Sequence, residues 1–173
     1  MSLHIDGNGG LFKMSSKRFG WFLCIAAPLA IGGLIEATSP VSLLADSDPW
    51  TKAQTVQVAD LAKELGDSKT APIVVFVGFK RLYTAGHIKG AQYHGTAGSE
   101  EGLKELTSWA AGIPRTTHLV IYCGCCPMER CPNIRPAFKV LRGLGFKKLR
   151  VLLLPQDFAT DWAGKGFPYD KGE

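Results

Sequence analysis

The sequence predicts an α/β domain of three layers with a mainly parallel central sheet. Two continuous apolar runs, residues 72–79 and 118–122, are typical of strands that are buried on both faces. A third run covers residues 149–154, and segments with helical spacing of apolar residues separate the three. Because strands that alternate with helices pair in parallel, we expect the working site at the carboxyl ends of these strands.

The remaining elements follow from the same periodicities. Residues 54–58 are predicted to form a first short strand. Four segments have the spacing of amphipathic helices: residues 59–65, 99–111, 133–144 and 157–163. Gly145 directly follows the third of these helices, and glycine is the usual residue just after a helix C-terminus.

Composition limits the class of protein. The chain has 173 residues, of which 46% are hydrophobic and 20% charged, so one folded domain is expected rather than a disordered chain. The formal charge of +5 is mild, and the basic residues are spread along the chain. The one local run, at residues 147–150, is typical of a solvated turn, and no nucleic-acid partner is predicted.

Residues 1–45 are interpreted as a signal peptide or an N-terminal membrane anchor. Lys17 and Arg18 precede an apolar stretch at 19–35, which is the order of a basic region and an apolar region in an export signal. The stretch is short beside the about 20 residues that a spanning helix needs, which favours a cleaved signal over membrane attachment through residues 19–35. We therefore predict an exported, periplasmic or cell-envelope protein, with a linker at 46–54 and the folded domain at 55–170.

The most informative feature is a cysteine-rich loop. Four of the five cysteines lie within nine residues, between the predicted strand 118–122 and the predicted helix 133–144. A thiol there lies near backbone N–H groups and a helix N-terminus, which stabilise a thiolate. Export favours the oxidation of cysteines to disulfides. The mature chain, however, has no cysteine outside this loop with which to join distant segments, so we expect these cysteines to have a chemical role rather than to stabilise the fold.

Three stretches of the chain, in order, resemble the rhodanese-like domain and together span about residues 55–170. Residues 82–91 resemble the family's Tyr-x-x-Gly-His-Ile-Pro-Gly-Ala segment, and the strand that ends at Cys123 resembles the one that ends in the family's active cysteine. Residues 137–146 and 162–168 follow the family's C-terminal half with matching spacing. The resemblance implies a rhodanese-like three-layer domain around the predicted parallel sheet.

The resemblance also implies a sulfurtransferase. In that family a thiolate attacks a sulfane sulfur donor such as thiosulfate or a persulfide, carries the sulfur as a persulfide and passes it to a nucleophilic acceptor, a thiol or cyanide. By its place after the strand, Cys123 matches the nucleophile, and no cofactor or resident metal is expected. Residues 77–79 replace the family's Asp-x-Arg and residues 157–158 a common Gly-Gly pair, which indicates a divergent subgroup.

The roles of the other loop residues stay open at the level of sequence. Cys125 or Cys126 is an alternative nucleophile, and Cys126 is also a candidate resolving thiol. Cys131, next to a proline at the start of the helix, would either resolve a persulfide or form a structural bridge. The residues expected to contact substrate are Gly124, Cys125, Arg130 and Arg135, although each arginine also suits a solvated position.

Two other classes of function fit the same loop. Cys123 and Cys126 form a Cys-x-x-Cys pair, which suits a thiol–disulfide oxidoreductase of the envelope. Four thiols also suit a non-catalytic module that binds thiols or a soft metal, although crowding all ligands into nine residues is awkward for tetrahedral zinc. A phosphatase of the same fold is disfavoured, because neither arginine after the loop has a cysteine six positions before it.

Overall fold

Five short parallel strands form the central sheet of residues 48–173, which are the part of the chain that this computed structural model describes. The strands are β1 (Thr55–Val56), β2 (Ile73–Phe76), β4 (Gln92–Tyr93), β5 (Leu119–Tyr122) and β6 (Leu149–Leu152), in the spatial order β1-β6-β5-β2-β4. A separate antiparallel pair joins β3 (His87–Ile88) to β7 (Tyr169–Asp170). The helices are α1 (Val58–Leu65), α2 (Lys80–Ala85), α3 (Glu100–Ala111), α4 (Ile134–Gly143) and α5 (Phe158–Asp161).

Alternate residues of the central strands face two separate cores. On one face, Val75, Ile121 and Val151 pack with residues of α3 and α4. On the other face, side chains such as Phe76 and Tyr122 pack with residues of α1 and α2. Every residue of β5 is therefore buried, which is why the strand appears as a continuous apolar run rather than an alternating one. The predicted three-layer α/β fold with a mainly parallel sheet is confirmed.

The predicted elements occur in the predicted order, with ends that differ by a few residues. The apolar run at 72–79 is a strand only over Ile73–Phe76, and the run at 149–154 only over Leu149–Leu152. Helix α2 was not predicted, since the sequence analysis assigns no element to residues 80–85. That helix has six residues and buries only Tyr83, so its sequence carries too little periodicity to be detected.

The register of the sheet brings three loops to one edge. Phe76 of β2 lies opposite Tyr122 of β5, so the residues that follow both strands leave the sheet side by side. The Val77 N–H donates a hydrogen bond to the Tyr122 carbonyl at 2.9 Å, and the Ala97 N–H donates to the Val77 carbonyl at 3.0 Å. Residues 77–79, 96–99 and 123–133 therefore meet at the carboxyl edge, where the sequence predicts the working site.

Part of the segment predicted as a linker packs on the domain. Residues Lys52–Gln54 form a short 3-10 helix, and the Trp50 ring packs edge-on against Phe138 of α4 with ring centroids 5.5 Å apart. The predicted signal peptide or anchor at 1–45 lies outside the described residues. Among residues 48–173, no helix is long and apolar enough to cross a membrane.

Candidate active site: the cysteine loop

The loop after β5 turns sharply at Gly124. Its φ is +69°, a left-handed conformation that favours glycine, and a Cβ at this position would lie 2.7 Å from the Phe158 Cβ. The Phe158 N–H also donates to the Gly124 carbonyl at 3.1 Å, which ties the loop to the start of α5. After this turn the chain forms a 3-10 helix at Met128–Arg130 and enters α4. Cys123, before this turn, is buried, whereas Cys125, after it, is only partly buried.

Four free thiols converge inside this loop. The Cys123 Sγ lies 3.1 Å from the Cys125 Sγ, which in turn lies 3.2 Å from the Cys126 Sγ. The Sγ atoms of Cys123, Cys125 and Cys131 all lie within 4.8 Å of one another. The side chains that the sequence predicted as chemically active are therefore in contact as a single cluster of sulfur atoms.

Asn133 holds this cluster through a fully buried amide. Its Oδ1 accepts a hydrogen bond from the Gly98 N–H at 2.8 Å, so its Nδ2 must face the sulfur atoms. The Nδ2 donates to the Cys123 Sγ at 3.2 Å and lies 4.0 Å from the Cys125 Sγ. A buried polar group needs such partners, and a nitrogen donor beside sulfur favours the sulfur anion over the thiol.

Gly78 makes room for the cluster from the side of β2. A Cβ at this position would lie 2.9 Å from the Cys123 Sγ and 2.8 Å from the Phe76 Cζ. The Gly78 carbonyl also accepts a hydrogen bond from the Thr96 Oγ1 at 3.0 Å. The absence of a side chain is therefore a steric requirement for the position of Cys123.

The charge in the cluster is directed to Cys131. The interaction with the Cys123 side chain, together with the backbone N–H groups of Asn133 and Ile134, lowers the pKa of Cys131 to about 6. The interaction with Cys131 and burial have the opposite effect on Cys123, whose pKa is raised. Cys131 is therefore the member of this pair that ionises first, and Cys123 keeps its proton.

Cys126, which is partly buried, lines a small void beside the loop. The void has a volume of about 10 Å³, and three of the loop cysteines line it together with apolar side chains of α4 and β6. Burial raises the pKa of Cys126 to about 12. The void has room for roughly one water-sized group, so no substrate larger than a single added atom fits on this side.

A larger cavity opens on the other side of the loop. Its volume is about 390 Å³, near the lower end of the range for small-molecule sites. Cys125 and Gly124 line this cavity and Cys123, which is only 4% exposed, does not. Aromatic and aliphatic side chains form most of the wall: Phe76, Leu82, Ala85, Phe158, Ala159, Ala163 and Tyr169.

Arg130 and Arg135, which the sequence analysis expects to contact substrate, lie outside this cavity. The Arg135 Nη1 donates to the carbonyls of Met128 and Cys131, and its Nη2 forms a salt bridge with Asp48 at 2.6 Å. This guanidinium therefore fixes the backbone of the loop from outside. Arg130 is exposed, and neither arginine lines the cavity beside Cys125.

The same sulfur atoms have the composition of a soft-metal site. Three thiols within 4.8 Å of one another suit a thiophilic cation such as copper(I) or zinc. The separation of 3.1 Å between the Cys123 and Cys125 sulfurs is shorter than the about 3.8 Å that separates thiolates on one tetrahedral zinc, given Zn–S bonds of about 2.3 Å. The cluster would have to open before it held an ion, so its observed geometry fits hydrogen-bonded thiols better.

Sequence reasoning missed Asn133, Gly78 and Phe158 as parts of the site. Asn133 directly precedes α4 and has the pattern of a helix N-cap, yet its side chain makes no capping hydrogen bond and turns to the sulfur atoms instead. The replacement of the expected residues at 77–79 and 157–158 was noticed, but only as a departure from the family. Since all three act through contacts across the fold, their roles become visible only in the tertiary structure.

Comparisons with known proteins support the fold. No family model matches the sequence, and no curated protein matches it. Among solved structures, the rhodanese-like domain of an Anabaena protein is 20% identical with a TM-score of 0.51, and the match covers 68% of this chain and 79% of that one. A Bacillus halodurans protein is 18% identical with a TM-score of 0.53 over 68% of this chain and 76% of its own.

A third structure carries sulfur on a cysteine. EanB, solved with a cysteine persulfide and ergothioneine, is 23% identical with a TM-score of 0.50, and the match covers 68% of this chain but only 28% of EanB. At these identities the likeness concerns the fold. The parallel sheet, the order of its strands and these matches agree that residues 48–173 have the rhodanese-like fold.

Proposed function

We propose that this protein is a sulfurtransferase that carries sulfane sulfur as a persulfide on a cysteine of the loop 123–131. The observation that supports this most directly is a cluster of four free thiols, in which a buried amide donates to the Cys123 Sγ, beside a cavity of small-molecule size. Such a site can stabilise an anionic sulfur and admit a small donor. The rhodanese-like fold and the persulfide on EanB are consistent with the same chemistry.

The proposed reaction has two balanced steps. A loop thiolate attacks the outer sulfur of thiosulfate, the S–S bond of the donor breaks, and its electron pair leaves with sulfite, so that the enzyme holds Cys–S–S⁻. A thiolate or cyanide acceptor then attacks the outer sulfur of this persulfide and leaves with it, which regenerates the enzyme thiolate. A small persulfide donor reacts in the same way and leaves as a thiolate.

Within the loop, Cys125 is the carrier in this proposal, rather than the Cys123 that its place after the strand suggests. Cys125 lines the open cavity, and its Sγ accepts a hydrogen bond from the Cys123 Sγ. Cys123 is buried and keeps its proton because its pKa is raised, so it suits the donor of that hydrogen bond. The Asn133 amide adds a second donor beside the same sulfur atoms.

Intact mass spectrometry of the reduced protein before and after thiosulfate tests the proposal. We expect the gain of one sulfur atom, which cyanide removes. Trypsin cleaves after Arg130, so the peptide with Cys131 separates from the peptide with the other three loop cysteines, and fragmentation of the latter locates the sulfur. A gain on Cys125 supports the carrier assigned here, a gain on Cys123 supports transfer but moves the carrier, and no gain with any donor contradicts the proposed function.

A second candidate function is a non-catalytic module that binds a soft metal. The observation that favours it is the close approach of the Cys123, Cys125 and Cys131 sulfurs. Anaerobic titration of the reduced protein with copper(I), followed by the ultraviolet thiolate–metal charge-transfer band, tests this candidate without any sulfur donor. A stoichiometric endpoint that Cys131→Ser removes would support this candidate. An increase in absorbance per added copper(I) equal to that seen with free thiols would contradict it.

Export is a separate proposal, which rests on the basic pair Lys17-Arg18 before the apolar stretch 19–35. Fusion of residues 1–54 to an alkaline phosphatase that is active only outside the cytosol tests it. Activity that disappears when Lys17 and Arg18 are both replaced by glutamate would support export. Activity that is absent from the unaltered fusion would contradict it.

A further inference from the structure

The cavity beside Cys125 has fixed aromatic walls. The Phe158 N–H is bonded to the Gly124 carbonyl, and the Phe158 ring meets the Tyr169 ring edge-on with centroids 6.1 Å apart. Gly86 packs directly beside these rings, since a Cβ there would lie 3.3 Å from the Phe158 ring. The apolar surface is therefore held in place, and Cys125, the carrier in the proposed function, lines the same cavity.

The charges around the cavity do not suit a small dianion. Of the residues that line it, only Asp157 and Lys171 are charged, and they have opposite signs. Arg135 is engaged with backbone carbonyls and Asp48 outside the cavity. Thiosulfate would find one cation beside one anion, and it has no apolar surface with which to contact the aromatic walls.

From this cavity we infer that the preferred sulfur donor is an organic sulfane-sulfur compound with an apolar or aromatic body, such as a thiosulfonate or a hydropersulfide. The inference rests on the proposed function and names its substrate class. The Cys125 thiolate attacks the outer sulfur of the donor, and the body leaves as a sulfinate or a thiolate with the electron pair. The aromatic walls contact the body, while the donors around Cys125 stabilise the persulfide.

Benzenethiosulfonate and methanethiosulfonate are matched probes, because both carry one negative charge on the same reacting group and differ only in the body. We would measure kcat/KM of the purified protein for both and for thiosulfate, each divided by the rate constant of the donor with free cysteine. That division removes differences in intrinsic reactivity. We expect benzenethiosulfonate to exceed each of the other two by at least about tenfold, since several extra apolar atoms enter the cavity.

Tyr169 and Phe79 provide a matched pair of variants. Both side chains are 42% exposed, but Tyr169 lines the cavity and Phe79 does not. We expect Tyr169→Ala to reduce the ratio of benzenethiosulfonate to methanethiosulfonate by several-fold and Phe79→Ala to leave it unchanged. A far-ultraviolet circular dichroism spectrum and a thermal melt would establish that both variants are folded.

The outcomes separate the inference from the proposed function. Equal normalised kcat/KM values for the three donors, with a persulfide formed from each, would overturn the inferred substrate class. The proposed sulfurtransferase function would not be affected. A preference for benzenethiosulfonate that both alanine variants leave intact would also overturn it, because the cavity would not be its source. Failure of every donor to form a persulfide would contradict the proposed function itself.

Discussion

The two sides of the cysteine loop differ in polarity and in access. The inner side, formed by Cys123, Cys131 and Asn133, is a buried polar cluster in which each of the three residues is at most 4% exposed. The outer side, formed by Gly124 and Cys125, borders an apolar cavity of about 390 Å³. In the proposed function, the groups that place the proton and the charge therefore differ from the group that contacts the substrate.

Burial explains why this division is useful. Hydrogen bonds and charges act more strongly where water is excluded, so the inner side can hold a thiolate and a thiol in defined positions. A substrate that entered the inner side would have to displace Asn133, whose Oδ1 is already committed to the Gly98 N–H. The outer side borders an open cavity, so a ligand can bind there without displacing Asn133.

The largest expected effect comes from removing the thiol of the outer side. Cys125→Ser should lower persulfide formation by roughly 10³-fold or more, because a serine hydroxyl is a poor nucleophile at neutral pH. Cys126→Ser is the matched control, since this residue lines the small void and not the cavity. The measurement is single-turnover formation of sulfite from thiosulfate. If Cys126→Ser were the inactive variant and Cys125→Ser were active, the division between the two sides would be wrong.

Two variants of Cys123 distinguish its two possible roles, that of the sulfur carrier and that of a hydrogen-bond donor to Cys125. If its thiol only donates to the Cys125 Sγ, Cys123→Ser keeps a donor and should retain more activity than Cys123→Ala by about tenfold, which corresponds to roughly 1.4 kcal/mol. The same sulfite assay checks this. Equal and complete loss in both variants would return the carrier role to Cys123.

Variants of Asn133 test whether the hydrogen bonds of the inner side influence the reactivity of the Cys125 thiol. Asn133→Ala leaves the Gly98 N–H without its partner and should lower the free energy of unfolding by about 1–3 kcal/mol, with a loss of activity on the order of 10²-fold. Asn133→Asp keeps an acceptor for Gly98 but places a negative charge beside the sulfur atoms. We expect this variant to remain folded, with the pH profile of sulfur transfer moved to higher pH.

An unchanged pH profile in folded Asn133→Asp would show that the amide does not influence the reacting thiolate. Urea unfolding at neutral pH and activity between pH 5 and about 10 are sufficient for this comparison, since the ordinary pKa of cysteine, about 8.5, lies in this range.

A further effect concerns the pH dependence of stability. The pKa of Cys131 is lowered from 9.0 to about 6 in the folded protein, so between these values the residue is a thiolate when folded and a thiol when unfolded. Folding then releases a proton, and the free energy of unfolding should rise with pH across this window and lose that contribution as pH falls through 6. Cys131→Ser should flatten the rise in urea unfolding experiments. A rise of the same size in this variant would assign it to another group.

Much of the fold could be predicted because its central strands are buried on both faces. The residues of β2 and all but Leu119 of β5 are apolar and β-branched or aromatic for that reason, and the helical segments between them have clear periodicity. Helix α2 and the two-residue strands β3, β4 and β7 could not be predicted, since elements so short are stabilised mainly by their neighbours.

The sequence by itself determined the parallel α/β architecture, the place of the cysteine loop at the end of β5 and the set of thiols available for chemistry. These follow from local composition and from the rule that such sites lie at the carboxyl ends of parallel strands. Only the tertiary structure decided that Cys123 is buried while Cys125 borders a cavity, because burial depends on the elements that pack around the loop and not on the loop's own sequence. It also decided the role of Asn133, whose partners Gly98 and Cys123 are 35 and 10 residues away along the chain and meet only where three loops converge.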